Sequence, residues 1–480
     1  MSARPTEAVA FMSGAEQARL MERGELTSRV LVELYLDRIA AYDAGLHSFI
    51  TVCGPAALQA AEAADAERAA GVVRGPLHGL PFAVKDQFQV AGVEVTGGSR
   101  SRRGRVAQSD ATVVARLRAA GAVFLGTLNT HEFHWGPTQE FPYGTPKNPW
   151  NLSRDPGGSS SGSASSVAAG LCTFSLGGDT GGSIRAPAAL CGVVGLKATW
   201  GRVSRQGVFP LAWSLDCVGP VTRSVADAAS VLRVIAGADP GDLSATPRAV
   251  PDYSGALAGG VKGMRIGVVE DMLTSRMVGA EARAAFEAAI EVLQGLGAEV
   301  VTVSIPKVSD TRFVIPLLID AEAYSYHRSE LLRDYSGYDV NTRISAMVGA
   351  AMPAGVVAQA QRARQVVSLE VVAAFEGVDV LASPGSPSGA PESRRRGHVG
   401  SRRQAEEKIF GVGTSAGQLT RVFSLSGNPA VTLPCGFDAE GMPLSVQLAG
   451  KHFCEADMLR VAHTYEAATD WWTRHPSLAG

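Results

Sequence analysis

Cysteine is scarce in this chain: six in 480 residues, at 53, 172, 191, 217, 435 and 454. No two stand as C-x-x-C, so neither a disulfide scaffold nor a structural zinc site is expected. An excess of one charge is also missing. Lys plus Arg number 44 and Asp plus Glu 46, a formal charge of −2. Without a broad cationic field, nucleic-acid binding by bulk electrostatics is not expected. No window approaches the roughly 18 uncharged apolar residues of a membrane helix. The opening stretch, MSARPTEAVAFMSG, lacks the apolar core of a signal peptide. These absences point to a soluble protein of a reducing cytoplasm, with no membrane partner. What is present is 46% hydrophobic and 19% charged residues, enough apolar material for a large core.

Periodicity organises the chain into alternating helices and strands. Thr27 and Ser28 precede Val30, Leu31, Leu34, Tyr35, Arg38 and Ile39, a helical pattern after an N-cap. Residues 55–70 are rich in Ala and Glu and begin with Pro, a second helix. Phe82–Val84 reads as a short buried strand ending at Lys85, Asp110–Ala120 as a helix and Ala122–Leu125 as a strand. A helix over Ser163–Ala169 and a strand over Leu171–Leu176 follow. Later come strands over Met264–Val269, Ala298–Ile305 and Val378–Ala382, and helices over Glu281–Leu296 and Val357–Phe375. In the first of these helices Phe286, Ile290, Leu293 and Leu296 share one face. No repeat and no linker divides the chain. The expected fold is one α/β domain, 1–480, with a mixed twisted central sheet covered by helices on both faces. Its parts are a helical segment to about 70, a core over 71–235, a variable region over 240–420 and a closing core segment over 421–475. Two arginine-rich stretches, Arg100–Arg105 and Arg394–Arg403, read as solvated loops.

The chemistry concentrates in two Gly/Ser stretches. One runs Pro156–Gly157–Gly158–Ser159–Ser160–Ser161–Gly162–Ser163, the other Gly178–Asp179–Thr180–Gly181–Gly182–Ser183–Ile184–Arg185. Paired glycines before a serine let the backbone turn sharply, expose a hydroxyl and aim several N–H groups at one point. A nucleophile beside an oxyanion hole needs that arrangement. A phosphate cradle would need the P-loop Lys or the dinucleotide Gly spacing, and both are absent. No G-x-S-x-G elbow marks a histidine-based triad. Lysine is the other base, provided burial keeps it neutral. Lys85, at the end of an apolar run, meets that condition.

The segments GPLHGLPFAVKDQF (75–88), DPGGSSSGSASSVAAG (155–170) and GGDTGGSIRAPAALCGVVGLKATWGRVS (177–204) together resemble the amidase signature family. SLDCVGPVTRSVADAA (214–229) and GNPAVTLPCGF (427–437) extend the likeness. The resemblance implies a Ser–Ser–Lys triad on Lys85, Ser159 and Ser183, the serines 24 positions apart as in the family. It implies Ser183 as nucleophile, Ser159 after a cis peptide as proton relay and Lys85 as general base. The N–H groups of Thr180, Gly181, Gly182 and Ser183 would form the oxyanion hole. Ser160, Asp179 and Arg185 would support the loop. Phe133, His134 and Trp135 would border an acyl pocket suited to an aromatic or compact apolar group. No metal or organic cofactor is implied.

Three departures from the family pattern touch the surroundings rather than the triad: Ser161 for a frequent Gly, Ala198 for Pro, and Thr127–Leu128 for Lys–Thr. The expected activity is hydrolysis of a linear, non-peptide carbon–nitrogen bond in a small-molecule amide, releasing ammonia or an amine. The alternatives are the A-type component of a glutamine-dependent aminoacyl-tRNA amidotransferase and an allophanate-like hydrolase of carbamate or urea bonds. A catalytically silent binding protein is disfavoured by the intact Lys85, Ser159 and Ser183. A homodimer is the expected assembly.

Overall fold

The computed structural model describes residues 7–393 and 419–478. The stretch Arg394–Arg403 lies outside them. Among the described residues, eleven strands form one mixed sheet. They are β1 (Phe49–Val52), β2 (Pro81–Lys85), β3 (Val123–Leu128), β4 (Phe174–Asp179), β5 (Val194–Lys197) and β6 (Cys217–Thr222), then β7 (Arg265–Val269), β8 (Glu299–Val303), β9 (Val380–Pro384), β10 (Ala430–Phe437) and β11 (Pro443–Gly450). Their order is β1-β3-β2-β4-β6-β5-β10-β11-β9-β7-β8. Every residue of β2, β3, β4, β6, β9 and β11 is buried. Burial of both alternate sets means that both faces are covered, and helices do this. The fold is thus the expected single-domain α/β architecture.

Local chemistry explains the element ends. The helix Ser28–Leu46 starts where Thr27 caps the Val30 N–H. The helix Gly54–Ala69 has Pro in its first turn. Strands and helices anticipated from periodicity form within a few residues of their expected bounds, including Ala280–Gly295 and Ala354–Ala374. One face assignment fails: Leu296 caps its helix and is 40% exposed. Beyond the last turn, the helical period no longer places it. No described helix is long and apolar enough to cross a membrane.

The topology places the Gly/Ser loops. β3, β2 and β4 are parallel neighbours, with Lys85 opposite Leu128 and Val84 opposite Leu176. Their C-terminal ends share one sheet edge, the usual place for a site in parallel α/β layers. Lys85, the Asn129–His134 corner and the loop after Asp179 therefore converge.

Candidate active site

Lys85 is the last residue of β2 and is fully buried. Its Nζ lies 2.7 Å from Ser159 Oγ, across 74 positions of sequence. Burial pushes its pKa down to about 7, against the opposing charges of Asp179 and Asp216. A hydroxyl both donates and accepts, so this contact suits a neutral amine as well as an ammonium. Ser159 follows a cis peptide from Gly158. Its carbonyl accepts from Thr130 Oγ1 at 2.9 Å and from the His131 N–H at 3.3 Å. The corner after β3 thus holds the serine from behind.

The helix Ser161–Ala168 grows directly out of this loop. Gly162 allows its start to press on the β3 corner, because a Cβ there would stand 2.4 Å from Ser48 O. The Ser160 N–H donates to Ser183 O at 3.2 Å, and Ser160 Oγ donates to Gly178 O at 3.3 Å. These bonds tie the two Gly/Ser loops together. Ser183 is half-buried at the junction.

Asp179 and Arg185 brace the second loop. Asp179 Oδ1 accepts from the Gly182 N–H at 2.9 Å and Oδ2 from the Ile184 N–H at 3.3 Å. Arg185 forks onto both oxygens at 3.0 Å and reaches Thr420 O, Gln447 Oε1 and Ser424 Oγ at 2.7–2.8 Å. Burial alone would raise the Asp179 pKa, but Arg185 outweighs it and the carboxyl ends below its ordinary value. Of the four loop N–H groups expected at the oxyanion hole, that of Gly182 already donates to Asp179. A motif match does not show such a bond.

The aromatic trio divides. Phe133 and Trp135 are buried in a separate cluster with Phe209, Leu331 and Tyr338, and Trp135 Nε1 donates to Asp320 Oδ1 at 2.7 Å. His134 instead lines a narrow cleft of about 10 Å³, with Asp179, Thr180, Phe209, Leu211 and Trp213. Arg102 is not simply solvated. Its guanidinium stacks 4.6 Å over the Phe209 ring, and it shares Glu330 with Arg105.

Sequence reasoning assigned no role to Asp216. Its Oδ1 accepts from Thr180 Oγ1 at 2.5 Å, its carboxylate takes the Leu211 and Ala212 N–H groups, and burial raises its pKa. It stands in SLDCVGP, within the family likeness but without a chemical neighbour in sequence. Thr130 gave no signal at all. Its importance comes only from the turn that carries it to Ser159.

A family model described as Amidase matches residues 30–459. A glutamyl-tRNA(Gln) amidotransferase component of Roseiflexus sp. (strain RS-1), the A-type one, is 41% identical over 97% of this chain and 98% of its own. Native peptide amidase from Stenotrophomonas maltophilia superposes with a TM-score of 0.83 at 31% identity, covering 98% and 99%. A protein described in connection with a vestigial complex and the origins of an s-triazine catabolic enzyme gives 0.86 at 34%, covering 95% and 98%. The chain belongs to the amidase family.

Proposed function

We propose that this amidase-family hydrolase cleaves the carbon–nitrogen bond of a primary carboxamide through an acyl-enzyme on Ser183. The observation that carries this is the buried Lys85 Nζ at 2.7 Å from Ser159 Oγ, with its pKa near 7. Neutral Lys85 takes the Ser159 proton as Ser159 takes that of Ser183. Ser183 Oγ attacks the carbonyl carbon, and the C=O pair moves onto oxygen. The N–H groups of Thr180, Gly181 and Ser183 stabilise that charge. The relay returns the proton to nitrogen, the C–N bond breaks and ammonia leaves. Water then repeats the sequence on the acyl-enzyme.

The names of the curated relatives favour glutamine as the carboxamide, with this chain as the ammonia-producing component of an amidotransferase. The peptide amidase neighbour supports the second reading, a hydrolase that acts alone on a small amide. One experiment separates them: ammonia release by the purified chain from glutamine and from a panel of aliphatic, aromatic and amino-acid amides. Glutamine as the best substrate, with a gain on adding amidotransferase partner proteins, supports the first. Turnover of another amide at higher kcat/KM, without partners, supports the second. No release from any amide, with no labelling of Ser183 by a fluorophosphonate, would reject both.

A further inference from the structure

The first arginine-rich stretch carries more positive charge than its partners absorb. Arg102 and Arg105 each direct a terminal nitrogen at the same oxygen, Glu330 Oε1, at 3.4 Å and 2.5 Å. One carboxylate cannot satisfy two guanidinium forks, and Arg102 Nε is buried without a hydrogen-bond partner. The three side chains together keep one positive charge. Glu94, joined to Val106 by a β-bridge, is turned to the Gly104 N–H. Arg102 is also poorly solvated, with its side chain 16% exposed. A guanidinium held there with so little compensation is costly unless a further acceptor completes it. Stacking keeps it in place: it lies 4.6 Å over the Phe209 ring, and Tyr326 meets the same ring edge-on, with centroids 5.1 Å apart.

These residues wall a cavity of about 420 Å³, within the size range of small-molecule sites. Among the described residues no Asp or Glu lines it, while Gln89 and Gln206 supply amides that donate and accept. The cavity shares Gln87 and Phe209 with the narrow cleft, but Lys85, Ser159 and Ser183 line neither. Its occupant is therefore a second ligand and not the group that reacts. We propose that this cavity binds a small organic monocarboxylate, whose oxygens take the terminal nitrogens of Arg102 and Arg105 that Glu330 leaves. Arginine forks match a carboxylate in geometry. A net charge of one matches it better than a phosphate, which carries nearly two. The body of the ligand lies against Tyr326 and the glutamine amides.

Titration calorimetry on the full chain tests this with 4-hydroxybenzoate, its neutral analogue 4-hydroxybenzyl alcohol, and inorganic phosphate. Each is run before and after fluorophosphonate treatment. The carboxylate should bind at one site at millimolar concentration or below, about tenfold or more tighter than the alcohol, and treatment should not change its Kd. Arg105→Gln, at the more exposed of the two arginines, should weaken it about tenfold. Glu330→Gln removes the competing carboxylate and should tighten it. No heat from the carboxylate, equal affinity for the alcohol, or an unchanged Kd in both variants would overturn the proposal. So would tighter binding of phosphate, which would assign the cavity to a dianion, or loss of binding after fluorophosphonate treatment, which would place the ligand at Ser183.

Discussion

Lys85 and Lys197 are both fully buried, and burial lowers both pKa values. Their partners separate them. Lys197 Nζ donates to Asn428 O at 2.7 Å and Ala198 O at 3.1 Å, which only accept, so its contacts suit a cation. Lys85 meets a hydroxyl, which can give it a proton. The rate should rise through an apparent pKa near 7 and plateau on the alkaline side, as expected of a base that works unprotonated. Lys85→Arg should not restore the activity lost in Lys85→Ala, because a guanidinium stays protonated. An active Lys85→Arg enzyme would remove Lys85 from the relay. The same shift makes a stability prediction. Between about pH 7 and 10.5 the unfolded chain holds a proton at this lysine that the folded chain lacks, so stability rises with pH there. Lys85→Met should therefore raise Tm more at pH 6 than at pH 9. At the other serine, Ser183→Ala should lower turnover by several orders of magnitude with an unchanged circular dichroism spectrum. A Ser183→Ala enzyme with wild-type rates would place the nucleophile elsewhere.

Three parallel strands and two loops do the positioning at the next scale. The ends of β3, β2 and β4 bring the Thr130 hydroxyl, Lys85 and Asp179 to one edge, and the helix Ser161–Ala168 locks the Ser159 loop against them. Asp179 and Arg185 are the buried hinge pin of the second loop. Arg185→Ala would leave the Asp179 charge and several acceptors unpaired, at about 3–5 kcal/mol. Thermal melts should show the loss, and Arg185→Lys should recover only part of it, since an ammonium cannot fork onto both oxygens. The depressed Asp179 pKa contributes stability that is present above its ordinary value near 3.8 and lost as pH falls below it. Gly182 has φ of 119°, and a Cβ there would stand 1.8 Å from Thr420 Oγ1. Gly182→Ala should abolish fluorophosphonate labelling of Ser183 by displacing the loop, with a smaller effect on Tm than Arg185→Ala. Normal labelling would show that the loop adapts.

At the scale of the whole molecule, one sheet joins the first half of the chain to the second. β5 pairs with β6 on one side and with β10 on the other. Residues 1–235 alone would present β5, all four residues of which are buried in the full chain, as a bare edge. That fragment should aggregate on expression, and a monomeric, cooperatively folded fragment would disprove the dependence. The strands β2, β3, β4, β7, β8 and β9, which pair in parallel, were legible because apolar runs bounded by helices and turns mark them. The antiparallel centre, β5, β6, β10 and β11, was not. Gly or Pro falls within each of them, VGLK, CVGPVT, AVTLPCGF and PLSVQLAG, and along a linear sequence those residues mark turns. By itself the sequence determined the class of fold, the two Gly/Ser loops and the family, because local propensity and motif order are written along the chain. Only the tertiary structure decided which groups meet. Strand pairing carries Lys85 to Ser159, Asp179 accepts from the Gly182 N–H, and Phe133 and Trp135 pack behind Phe209 and Leu211 while His134 lines the cleft. These outcomes depend on contacts between residues distant in sequence, and a linear pattern holds no record of which partner each polar group has already found.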